Sequence, residues 1–194
     1  MNLSNNYDDI VCDRTLMESS IIAFSETWLD QKTETHINGF KAHFNSVGPG
    51  KGLAIYMKDG TFGPLTDIKQ EKMQVSKLKS HDLDLITVYR SDQGNTTELL
   101  HRLINLINND MPTVVCGDFN ICYQTSRNNR ITQYLETNGF LQLMKEATHI
   151  KGRHIDHFYF KPDHSFHEHP SIYIYSPYYS DHDALCATLT RIPG

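Results

Sequence analysis

The sequence predicts an α+β layered domain. Short apolar runs rich in β-branched and aromatic residues outnumber the helical patterns. Strand-like and helix-like segments do not alternate strictly, and this arrangement favours layered sheets with a few helices. At 194 residues the chain suits one domain with a sizeable core.

Taken in order, Tyr7 to Met17 reads as a first helix. Ser19 to Ser25 reads as a strand, because Ile21-Ile22-Ala23-Phe24 is an unbroken apolar run. Gly52 to Met57 is the next strand. The preceding Gly48-Pro49-Gly50-Lys51-Gly52 lacks the Ser or Thr that a P-loop carries after its Lys, so it reads as the opening of a hairpin. Leu83 to Tyr89 is a third strand. Leu99, Leu100, Leu103, Ile104 and Ile107 then form an amphipathic stripe, with Asn95 and Glu98 as a capping-box-like start. Thr113 to Cys116 is a short strand. Ile131, Tyr134 and Leu135 mark a helix that stops at Asn138-Gly139. His154 to Phe160, Ser171 to Tyr175 and Ala184 to Leu189 complete the strands. His164, His167, Glu168 and His169 lie between Pro162 and Pro170 and read as a solvated loop. No repeat, low-complexity segment or linker interrupts the series.

Composition narrows the class without naming the chemistry. The net charge is −5, whereas a protein that coats nucleic acid would be basic. A local patch and a metal could still engage phosphates. No 18-residue apolar stretch is present, so no membrane span is expected. Met1-Asn2-Leu3-Ser4 lacks a secretory pattern, which points to an intracellular protein. Cys12, Cys116, Cys122 and Cys186 show no CxxC spacing, and Cys116 and Cys186 read as small core residues.

Three strings carry chemistry. In Tyr179-Ser180-Asp181-His182-Asp183 an acid adjoins an imidazole, and a carboxylate that fixes one tautomer lets a His act as a base or transition-state donor. In Gly117-Asp118-Phe119-Asn120 a carboxylate and an amide share one side of a strand end. In Ser25-Glu26-Thr27-Trp28 a Glu follows an apolar run and offers the hard oxygen that Mg²⁺ requires. Each string alone is ordinary. Their order, each at the end of an apolar segment, suits metal-assisted attack on a phosphodiester.

These residues resemble the endonuclease/exonuclease/phosphatase superfamily, which includes deoxyribonuclease I and the abasic-site endonucleases. The resemblance is nearest to endonuclease domains of non-LTR retrotransposons and Helitron-type mobile elements. It rests on Ser25-Glu26-Thr27-Trp28-Leu29, Gly52-Leu53-Ala54-Ile55-Tyr56 and Val88-Tyr89-Arg90, then on Gly117-Asp118-Phe119-Asn120. It continues through Thr148-His149-x-x-Gly152-Arg153-x-Ile155-Asp156-His157 and Ser176 to Asp183, covering roughly residues 7 to 190 in family order. It implies a four-layer α/β/β/α sandwich of two mixed sheets, with residues 1–194 as one domain.

By the same resemblance, Glu26 is the metal-binding Glu and Asp181 a second acid near the metal. Asp118 orients or deprotonates the attacking water, with Asn120 as its amide partner at the phosphate. Tyr89 contacts the scissile phosphate or stabilises the leaving oxygen. Asp156 orients the catalytic His, and His182 hydrogen-bonds the phosphoryl oxygen. Arg90 and Arg153 fall within the matching strings and are assigned to the substrate. The implied cofactor is Mg²⁺, with Mn²⁺ as a substitute, and the implied partner is DNA. A eukaryotic mobile element would place the protein in the nucleus.

One departure stands out. The family begins with a buried strand ending in an Asn, ahead of the Glu strand. Here Tyr7-Asp8-Asp9-Ile10 resembles the helix that follows that strand, so the domain is expected to lack its first strand; Asn2 has no apolar run before it to seat it in a sheet as a substitute. Three readings result: a metal-dependent DNA endonuclease, a non-catalytic remnant that binds DNA or a protein, and a phosphatase or phosphodiesterase of the same fold.

Overall fold

The computed structural model describes residues 3, 5–28, 35–48, 51–58, 63–125, 129–144 and 146–193. The expected first helix is two short ones, α1 (Tyr7–Cys12) and α2 (Arg14–Glu18). Asp13 breaks the run: its backbone is extended, and its carboxylate accepts the amides of Thr15 and Leu16 as an N-cap. The chain continues through β1 (Ile21–Ser25), β2 (Phe40–Gly48), β3 (Lys51–Lys58), β4 (Leu65–Gln70), β5 (Met73–Lys79) and β6 (Asp84–Arg90). It then forms α3 (Thr96–Leu106), β7 (Thr113–Asp118), α4 (Arg130–Thr137), β8 (Leu141–Gln142), β9 (Asp156–Lys161), β10 (Ser171–Tyr175) and β11 (Ala184–Thr188). No described helix is long and apolar enough to cross a membrane.

Six strands form one mixed sheet in the order β4-β5-β6-β7-β9-β8, with β6 and β7 as its parallel pair. Among the described residues, two antiparallel pieces, β1-β3-β2 and β10-β11, stand where a second mixed sheet is expected. Alternation along β3 explains the stacking. Ala54 and Tyr56 join Ile10, Leu16, Ile22 and Phe24 beneath α1 and α2. Ile55 and Met57 point the other way, against Leu78, Leu85, Val114 and Phe160 of the six-stranded sheet. The far face of that sheet packs Val75, Ile86, Val88 and Val115 on Leu99, Leu103, Ile131 and Leu135 of α3 and α4. A buried polar clamp also joins the sheets. The Asn45 amide donates to the Ser76 hydroxyl at 2.9 Å, and Ser76 donates to Asp67 at 2.7 Å.

Among the described residues, no strand lies beside β1 on the side away from β3, or beside β11 on the side away from β10. A groove of about 1530 Å³ runs between these two edges, floored by Leu85, Val114, Cys116 and Phe158. Ala184 to Ala187 remain only half-buried although all four are small or apolar. Tyr175 and Tyr179 tie the β10–β11 side to the helices, each donating its hydroxyl to Asp13 Oδ2, at 2.7 and 2.6 Å. Asn2 is outside the described residues.

Candidate active site

Strand register assembles the site. Tyr89 is the last residue but one of β6, Asp118 ends β7 and Asp156 begins β9, and the three sit side by side across the sheet. Gly117 makes that approach possible: its φ is +131°, and a Cβ there would collide with the Val88 carbonyl oxygen of the neighbouring strand. The chain then turns sharply, with Asn120 at φ +50°. Asp118 Oδ1 accepts the Asn120 backbone amide at 2.8 Å, which holds the turn. The Asn120 side-chain amide donates to the Arg90 carbonyl at 2.8 Å and to Asp118 Oδ2 at 3.2 Å. The amide thereby ties Asp118 to the end of β6.

On the other side, Asp156 Oδ2 accepts the Thr148 hydroxyl at 2.5 Å and pairs with His182 Nδ1 at 2.8 Å. Thr148 and Asp183 join through backbone, Asp183 N donating to the Thr148 carbonyl at 2.7 Å, and His149 bridges His182. This ladder seats His182 over the β9 carboxylate. Glu26, just past β1 at φ +52°, accepts the Tyr89 hydroxyl at 3.0 Å.

A buried strand-end carboxylate facing a second carboxylate that orients a His is one half of the observation; the matched family model is the other. The Endonuclease/Exonuclease/phosphatase family model matches residues 3–182. The chain belongs to this family. Solved structures agree on the fold. An AP endonuclease from Archaeoglobus fulgidus superposes with a TM-score of 0.76 at 14% identity, covering 96% of this chain and 95% of that one. The endonuclease domain of TRAS1, a telomere-specific non-LTR retrotransposon, gives 0.67 at 13% identity, covering 92% and 89%. A curated protein, the DNA replication ATP-dependent helicase/nuclease DNA2 of Gallus gallus, is 25% identical over 117 residues. That match covers 58% of this chain but only 12% of the relative's length.

The electrostatics of this family member are unusual at three positions. Burial, with the neighbouring Asp156 charge adding to it, raises the Asp118 carboxyl to about 7. His182 moves up to about 9: burial works against its charge, but the Asp156 hydrogen bond and carboxylate prevail. Tyr89 is pushed well above the usual phenol range by burial and by Glu26.

The remaining assigned residues divide. Asp181 is exposed beside His182. Asp118, Asp156 and His182 offer ligand atoms within 4.8 Å of one another, as do His149, Asp181 and His182; Glu26 falls in neither group among the described residues. Arg153 is exposed near the site. Arg90 is turned inward instead of toward substrate. Only 4% exposed, it donates to the carbonyls of Phe119 at 2.7 Å, Asn120 at 3.0 Å, Asp92 and Gly94. It braces the turn that carries Asp118. Thr148 and His149 head a matching string but carry no role in the sequence, because their nearness to Asp156 and His182 depends on the folded ladder.

Proposed function

We propose that the protein is a metal-dependent phosphodiester hydrolase that nicks DNA, descended from a mobile-element endonuclease. The observation that carries this is the shared Asp156 carboxylate, which fixes the proton of His182 on Nδ1 and leaves Nε2 to meet a phosphoryl oxygen. The Thr148-to-His157 string and the fold likeness to a retrotransposon endonuclease domain support a DNA substrate and a mobile-element origin.

The donor set fits Mg²⁺ or Mn²⁺. Asp118, Asp156 and His182 offer ligand atoms within 4.8 Å of one another, and two of the three are hard carboxylate oxygens. By the family resemblance, Glu26 and Asp181 would add further carboxylate oxygens around the ion. When bound, it supplies charge neutralisation on the phosphate oxygens. The chain does the rest. Asp118, locked by Asn120 and Arg90, takes a proton from the attacking water. His182 donates from Nε2 to a non-bridging oxygen as charge builds there. Tyr89, held by Glu26, faces the leaving oxygen.

Supercoiled plasmid tests this reading. The purified chain should convert it to the open circle, and the nicks should carry 3′-hydroxyl ends that a polymerase extends without prior end repair. Intact plasmid, with a protein that still binds DNA, would favour the non-catalytic reading.

A further inference from the structure

We propose that His149 is a second substrate-contacting imidazole, donating from Nε2–H to a phosphate oxygen beside the one held by His182; this rests on the phosphodiester reading above. Position comes first. His149 and His182 lie opposite each other in an antiparallel bridge, flanked by Ile150 N donating to the Asp181 carbonyl at 3.1 Å. Opposite residues of such a pair present their side chains on one face. The two rings meet edge to face, with centroids 4.8 Å apart.

Hydrogen bonding then settles the tautomer. The Lys151 backbone N–H donates to His149 Nδ1 at 3.0 Å. A ring nitrogen that accepts carries no proton, so the neutral imidazole keeps its proton on Nε2. That nitrogen lies 3.7 Å from Asp181 Oδ2, too far for a hydrogen bond. Among the described residues nothing else accepts from it. The ring is 7% exposed, so this donor is fixed in direction and still unspent.

His149, Asp181 and His182 also have the spacing of a metal site. Binding a metal through Nε2 would move the proton to Nδ1, where it would oppose the Lys151 N–H. The ring is built to donate. Lys151 and Arg153 lie close enough to add positive potential at His149, as a phosphate strand would require.

The test compares wild type with His149→Ala and His149→Gln, measuring nicking of a duplex oligonucleotide and Mn²⁺ affinity by calorimetry. His149→Ala should raise KM about 10-fold or more, as loss of a hydrogen bond to a charged group does, with kcat far less affected. His149→Gln keeps an N–H donor and should recover part of that loss. Mn²⁺ affinity should change by less than about 2-fold, against the roughly 10–100-fold that disturbing a metal site costs. A 10-fold fall in Mn²⁺ affinity, or an unchanged KM, would overturn the proposal. A separate readout does not need turnover. The ¹⁵N resonance of His149 Nε2 in wild-type protein should be that of a protonated nitrogen and should move on titration with a single-stranded oligonucleotide. A resonance that stays still overturns the role of His149 even if nicking is observed; absent nicking with a moving resonance removes the hydrolase reading alone.

Discussion

His182 takes its orienting carboxylate from Asp156, 26 residues upstream, at 2.8 Å, and not from the adjacent Asp181. Asp156 is also anchored by Thr148 and faces Asp118 across the β7–β9 ladder. One carboxylate thereby sets the His tautomer and adds to the upward shift that burial gives the neighbouring acid. Asp156→Ala and His182→Ala should each cut nicking strongly, and the double variant should be little worse than either, because groups acting as a unit are non-additive. Losses that multiply fully would show two independent roles.

Asp118→Asn separates chemistry from folding. Removing a general base typically costs about 10²–10⁴-fold in rate. Stability should move the other way. The folded carboxyl titrates near 7 and the ordinary value is 3.8, so the protonated form is favoured in the fold. Its contribution is complete below 3.8 and is lost as pH rises through about 7. In chelator at pH 8 the variant should therefore melt at or above the wild-type temperature, and at pH 4 the two should converge. A lower melting temperature at pH 8 would make Asp118 a structural residue.

Arg90→Ala should damage both fold and rate. It leaves several carbonyls at the Asp118 turn without a donor, at about 1–3 kcal/mol for each buried one. Arg90→Lys should rescue little, since one ammonium cannot span the carbonyls of Phe119, Asn120 and Gly94. If Arg90→Ala melts like wild type and only KM rises, the arginine meets substrate after all.

The groove between β1 and β11 makes a further prediction. Two strand edges and an apolar floor invite pairing with another strand. The 194-residue chain should be poorly stable, association-prone and weakly active. Fusing an apolar strand that ends in Asn ahead of Leu3, whose amide already bonds the Thr27 carbonyl at 3.0 Å, should raise both melting temperature and nicking rate. Light scattering that finds a monomer, with melting and rate unchanged by the fusion, would contradict this.

Strand ends were legible because apolar runs stop at Glu26, Asp118 and His182's loop in plain sequence. Their convergence was not, since it depends on β7 lying between β6 and β9. β5 was hidden by its composition. Gln74, Ser76 and Lys77 are all buried, and Lys77 reaches Asp84 at 2.5 Å inside the fold. β2 was hidden by Lys41, His43 and Asn45, which break up its apolar residues. Arg90 misled for a related reason: a basic residue after Tyr89 reads as a cation for substrate until its burial is seen. The break at Asp13 uses a residue type that caps helices well, and only its position inside an apolar pattern concealed it.

The most direct measurement is plasmid nicking by the 194-residue chain with Mg²⁺, with Mn²⁺ and with excess chelator. The carboxylate-rich site predicts open-circle product with either cation, and none once the chelator is in excess. Nicking that persists in chelator would contradict the metal-dependent account.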